Sequence, residues 1–199
     1  YIIMKKLTKK GLIACALSVS LLGFANDLKE PVKEKEPKVT SLSFAKVSKG
    51  SMLLIKDFNG LVLYKEAIQE TGEYSKGFDL TSLPNGDYYF ELDTELEIVV
   101  IPFEVDSSEV NFHKEDKTTI FKPMVRVKDD KVFVSRTSFE AAPMDFKIYY
   151  ASNSDVVLSE KFENEPFIER VYDFSSSKKG EYLFVFRSNG RKYIKSVKI

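Results

Sequence analysis

The stretch FDLTSLPNGDYYF, residues 78–90, is answered further along the chain by YDFSSSKKGEYLF, residues 172–184, at a constant offset of 94. A period of that length is the size of a domain, far longer than the 20–50 residues of a solenoid repeat. In both copies a glycine, Gly86 or Gly180, follows a run of turn-forming residues and can adopt the backbone conformation that ends it. A tyrosine stands two residues on, Tyr88 or Tyr182. That spacing predicts a tyrosine corner, with the ring in the core and the hydroxyl on nearby backbone.

The match extends both ways. Residues 55–60 correspond to 148–153 with one residue of slippage, and 98–105 correspond to 192–199. Short runs rich in β-branched and aromatic side chains recur, among them Leu53-Leu54-Ile55, Leu61-Val62-Leu63-Tyr64, Tyr88-Tyr89-Phe90 and Ile98-Val99-Val100-Ile101. Asn, Gly, Asp and Ser clusters separate them at roughly 8–12-residue spacing, and no amphipathic helical period competes. The fold class read from this is all-β: a first sandwich over 39–105, a connection over 106–121, and a second sandwich over 122–199. Asp57-Phe58-Asn59-Gly60 reads as a type I′ hairpin turn, and Ser188-Asn189-Gly190 as the turn into the last strand. Tyr182, Phe184 and Phe186 share one face of their strand, with Leu183 and Val185 on the other, as expected of a strand covered on both sides.

The first 25 residues have a different character. Met4 is a natural start, Lys5, Lys6, Lys9 and Lys10 make a basic n-region, residues 11–24 are apolar or small, and Gly23-Phe24-Ala25 is a small-x-small site. This predicts an export signal cut between Ala25 and Asn26. The apolar run is too short to span a bilayer core, which needs about 20 residues. Leu12-Ile13-Ala14-Cys15 resembles a lipobox, but only residues 11–14 separate Lys10 from Cys15, against the roughly 7–15 that a signal needs, so the cut after Ala25 is preferred to lipidation at Cys15. Residues 26–38 alternate Lys and Glu between Pro31 and Pro37 and read as a solvated linker. The expected location is outside the cytoplasm, in the periplasm, on the cell surface or beyond it, with no transmembrane segment in the mature chain.

Thirty basic and thirty acidic residues give zero formal net charge, which argues against a nucleic-acid binder. Removing residues 1–25 takes away four lysines and leaves 26 basic against 30 acidic. The charge is also uneven: 5 basic and 11 acidic residues over 39–105, but 17 and 15 over 106–199. Glu91, Asp93, Glu95 and Glu97 recur every second residue and read as an acidic row on one strand, a weak candidate for Ca²⁺, although no acidic Gly-containing calcium loop accompanies them. Arg187, Arg191 and Lys192 stand at the equivalent end of the second copy. Two readings follow: solvated edges that discourage aggregation, or an acidic end that meets a basic one within the chain or between chains, giving self-association. One Cys and one His, His113 in the connection, supply no zinc site or nucleophile set, and no catalytic residue or cofactor is assigned. Tyr74, Tyr149 and Tyr150 would suit carbohydrate contact if exposed.

IYYA at 148–151, DVVLSEKF at 155–162, YDFSSSKKGEYLFVF at 172–186 and RKYIKSVKI at 191–199 together resemble the type A C-terminal sorting domain of the bacterial type IX secretion system. The resemblance covers about 122–199 and, through the repeat, extends to the first copy, whose LIKDFNG and DLTSLPNGDY fit the pattern better still. It implies an Ig-like β-sandwich, the type IX machinery as partner, and Gly180, Tyr182, Lys195, Val197 and Lys198 at motif positions. The family's opening Asn-Pro is reduced here to Pro123. The function implied is structural, adhesive or sorting-related and not enzymatic. The alternative is a periplasmic binding module for a glycan or peptide.

Overall fold

A computed structural model describes residues 39–199. The export signal, Cys15, the cut at Ala25 and Asn26, and the Lys/Glu linker lie outside the described residues. Fifteen strands follow in order: β1 (Val39–Val47), β2 (Met52–Asp57), β3 (Val62–Ala67), β4 (Gly72–Asp79), β5 (Gly86–Asp93), β6 (Glu97–Asp106), β7 (Glu109–Phe112), β8 (Thr118–Phe121), β9 (Met124–Lys128), β10 (Lys131–Thr137), β11 (Met144–Tyr150), β12 (Asp155–Phe162), β13 (Phe167–Asp173), β14 (Glu181–Ser188) and β15 (Arg191–Lys198). One 3-10 turn, Lys114–Asp116, is the only helical element among the described residues.

All described pairings are antiparallel, and the same strand order is built twice. β1 pairs with β4, and β3-β2-β5-β6 run side by side. Later in the chain β10 pairs with β13, and β12-β11-β14-β15 run side by side. Alternation along the strands explains the layering. Leu42 and Val47 of β1 and Phe78 of β4 meet Leu53, Ile55, Phe90, Leu92, Phe103 and Val105 of the larger sheet in one hydrophobic cluster. Val132, Val134 and Ile168 meet Met144, Phe146, Ile148, Phe184 and Phe186 in a second. The fold is an all-β sandwich, its apolar side chains turned inward from paired sheets.

Residues 106–121, expected to connect the two sandwiches, carry two strands that pair with β6. β7 pairs with the far half of β6, from Phe103 to Asp106, and β8 pairs with its near half, from Glu97 to Val100. Pro102 falls in the gap between them. Its carbonyl accepts a bond from the His113 N–H at 3.1 Å, so its ring nitrogen faces the same edge, where a missing N–H breaks no ladder bond. Val110 and Phe112 of β7 pack against the first cluster, which is why so short a strand holds.

Both tyrosine corners are present. The Tyr88 hydroxyl donates to the Pro84 carbonyl at 2.8 Å and that of Tyr182 to the Lys178 carbonyl at 2.6 Å, in each case four residues upstream. Gly86 and Gly180 have φ of 155° and 153°, a region that side-chain-bearing residues rarely enter. Replacing either tyrosine by Phe is expected to cost about 1 kcal/mol, one net hydrogen bond with the ring retained. Urea denaturation of the two single variants checks this, and equal losses in both would match the equal geometry.

The hairpin turns are distributed differently from the sequence reading. Among residues 58–60 only Gly60 has positive φ, 84°, and its N–H bonds to the Asp57 carbonyl at 2.9 Å. This is a longer turn with glycine at the left-handed position rather than type I′. The Asp57 carboxylate fills the extra space by accepting the Leu61 N–H at 2.8 Å. The type I′ signature lies instead at Asn189-Gly190, with φ of 49° and 70°, at Asp129-Asp130, with 52° and 56°, and at Ser107-Ser108, with 50° and 63°.

Candidate functional site

β5 alternates between two environments. Tyr88, Phe90 and Leu92 enter the first cluster, so Glu91 points to the opposite face of the sheet, where a carboxylate would ordinarily meet water. It is instead 2% exposed. Arg191, at the start of β15, grips it with two parallel bonds of 2.9 Å, and Lys56 of β2 adds a third at 3.0 Å. Burial alone would push the Glu91 carboxyl up; the bonds from Arg191 and Lys56 outweigh it and hold the group below the usual carboxylate range. Leu54 and Ile98 are likewise buried without belonging to the first cluster, and Val185 without belonging to the second.

The acidic row is therefore not a row. Glu91 and Asp93 end β5, Glu95 lies in the turn, and Glu97 opens β6. Thr94 makes that turn by donating its hydroxyl to the Glu97 carbonyl and accepting the Glu97 N–H. Asp93 is paired with Lys122, just beyond β8. The four carboxylates diverge around a hairpin, two of them already bound to cations, and among the described residues no three Asp, Glu, His or Cys side chains group in a way that could hold a metal ion.

The motif positions shared with sorting domains separate by environment. Gly180 shapes a turn, exchanging both backbone bonds with Ile199 at 2.9 and 3.1 Å, Tyr182 makes the corner, and Val197 is buried in the second cluster. On β15 Lys195 is half-buried and Lys198 exposed. Two of the three tyrosines considered for carbohydrate contact are engaged. The Tyr74 hydroxyl donates to Glu66 at 3.2 Å, and burial, with Glu66's charge, pushes it up to about 12. Tyr150 packs on Tyr182 and donates to the Lys179 carbonyl. Tyr149 is half-buried.

Beside Arg191 lies a cleft of about 380 Å³, walled by β8, by residues 136–140 and by the β14–β15 hairpin. A second, of about 470 Å³, shares Phe121, Arg136 and Thr137 with it. Arg136 was not singled out from the sequence, yet it is 8% exposed and its guanidinium donates to the Ala142 carbonyl at 2.7 Å and the Ser188 hydroxyl at 2.9 Å. Burial lowers its pKa from the ordinary guanidinium value, with Tyr193 opposing. The signal was there to be read: in Val132-Phe133-Val134-Ser135-Arg136 an arginine takes the third inward position of an alternating strand. Phe139 is 75% exposed and stands edge-on to Phe121 and Phe167, at ring distances of 6.0 and 6.2 Å.

No family model and no curated protein matches this chain. Solved structures that match include the BSP domain of a biofilm associated protein, at 12% identity and a TM-score of 0.28. That match covers 82% of this chain and 27% of the other. So slight a likeness carries no argument about role. No helix among the described residues is long and apolar enough to cross a membrane.

Proposed function

We propose that the chain is an exported, non-enzymatic protein of two tandem Ig-like sandwiches, 39–105 with the β7 and β8 edge added to it and 122–199, with a structural, adhesive or sorting role. The observation that supports it is the burial of Glu91 under Arg191. A charged group on the outer face of one sheet is desolvated by an arginine from the other half of the chain, an arrangement suited to keeping two modules in fixed register. On this reading residues 1–25 direct export, the Lys/Glu linker spaces the sandwiches from what precedes them, and Lys198, exposed, with Lys195, half-buried, are the part of the sorting motif left to meet the type IX machinery.

Fractionating cells with and without that machinery tests the proposal. The expected result is a chain that leaves the cytoplasm without residues 1–25 in both, and reaches the cell surface or medium only when the machinery is present. Lys195→Glu with Lys198→Glu is expected to hold it in the periplasm. Retention of the full-length chain in the cytoplasm would overturn export, and surface delivery without the machinery would overturn sorting. The cleft at Arg136 favours a second reading, a binding module for a glycan or peptide presented by the same scaffold.

A further inference from the structure

We infer that the cleft between β8 and the β14–β15 hairpin binds an acidic sugar, a uronate, with Arg136 as the anchor for its carboxylate. This rests on the binding-module reading and names the ligand class. Three observations carry it.

First, Arg136 is more than nine-tenths buried, and among the described residues it takes part in no ion pair. A buried cation without a counter-ion is costly, and two neutral acceptors leave part of the five-donor guanidinium fork unused. The neighbouring Arg191 differs, since Glu91 already occupies both its terminal nitrogens.

Second, the repeat shows that the fold does not require a cation here. Arg136 pairs across the sheet with Ile168. The residue 94 positions before Ile168 is Tyr74, which pairs with Phe44. The first copy thus holds an apolar ring against its cluster where the second holds a guanidinium.

Third, several other residues of the lining suit a sugar, Glu140 being the one carboxylate among them. Thr119 and Ser138 bring hydroxyls, and Phe139, 75% exposed and part of the same lining, brings an aromatic ring of the kind that packs on the C–H face of a pyranose. The volume is that of a small-ligand site rather than a protein interface.

Calorimetric titration of the folded protein at low salt with tri-galacturonate, with its methyl ester and with a short peptide bearing a free C-terminal carboxylate tests the assignment. Binding of the acid is expected, with the ester, identical but uncharged, about thirtyfold weaker, as for loss of one charge pair. Arg136→Met is expected to lose a similar factor and Arg136→Lys to recover part of it. Because Arg136 also ties Ala142 to Ser188, its variants are checked by circular dichroism. Phe139→Ala, a surface change, supplies a second expected loss of affinity should Arg136→Met fail to fold. Equal binding of acid and ester, or undiminished binding by Arg136→Met, would overturn the anionic anchor and leave glycan binding standing. Preference for the peptide would overturn the sugar, and absence of binding to all three would overturn both readings.

Discussion

Arg191→Met is expected to destabilise the folded chain by about 3 kcal/mol at neutral pH, the scale for removing one partner of a buried ion pair. The variant leaves Glu91 under a cover of apolar surface with Lys56 as its one remaining cation, and an uncompensated buried carboxylate costs more than the pair contributed. In melting temperature this is roughly 6–12 °C for a chain of this size. Lys56→Met should cost less, because both Arg191 bonds survive it. The sign of the pH dependence follows from the Glu91 shift. Its folded pKa lies below 4.5, the ordinary value, so the stabilisation is complete above that value and is lost as pH falls through the folded pKa. The gap between wild type and Arg191→Met therefore narrows on acidification. Urea titrations at pH 7 and at pH 3 measure it, and a gap of the same size at both would show that Arg191 acts by packing and not through the charge of Glu91.

Phe90→Ala and Phe184→Ala, 94 positions apart and each 0% exposed, should each cost about 3–5 kcal/mol. Phe90 lies against Phe78, Phe103 and Phe112 at ring distances of 5.3, 5.1 and 6.2 Å. Phe184 lies against Phe146 and Phe174 at 5.9 and 6.1 Å. Truncating either ring leaves a void that the surrounding aromatics fill only partly. Because the clusters share no member, each loss should be local. Hydrogen exchange in Phe90→Ala is expected to accelerate over 39–121 and spare most of 122–199, with the reverse in Phe184→Ala. Uniform acceleration across both regions would mean one cooperative unit and would count against two tandem sandwiches.

Much of the fold was legible because its determinants are local. The run to Gly86 and Tyr88 encodes a turn, a strand start and a buried hydroxyl within a dozen residues, and its recurrence at Gly180 and Tyr182 made the second copy readable from the first. β7 and β8 have little apolar pattern of their own: Glu109–Phe112 folds back on β6 through the Ser107-Ser108 turn, which lacks the Asn or Gly that marks such turns, and Thr118–Phe121 exists by pairing with Glu97–Val100 well back in the chain. The acidic spacing misled because the hairpin at Thr94 preserves the alternation while reversing the strand. Charge asymmetry pointed towards Arg191 as one of three basic residues, but only the structure distinguishes it from Arg187 and Lys192. Arg136 is marked by its place, third on the inward face after Val132 and Val134, but nothing local in the sequence says that its neighbours bring no counter-ion.

Pro102 has a practical consequence. By keeping an N–H out of the gap between β7 and β8, it makes that gap a joint at which the chain can change length without either ladder losing step. Extra residues spliced between Asp116 and Lys117, just past the 3-10 turn, would lengthen the loop while Phe103–Phe112 on one side and Val100–Thr118 on the other keep their partners. The joint is the natural place to seat an epitope or a fluorophore for the fractionation experiment.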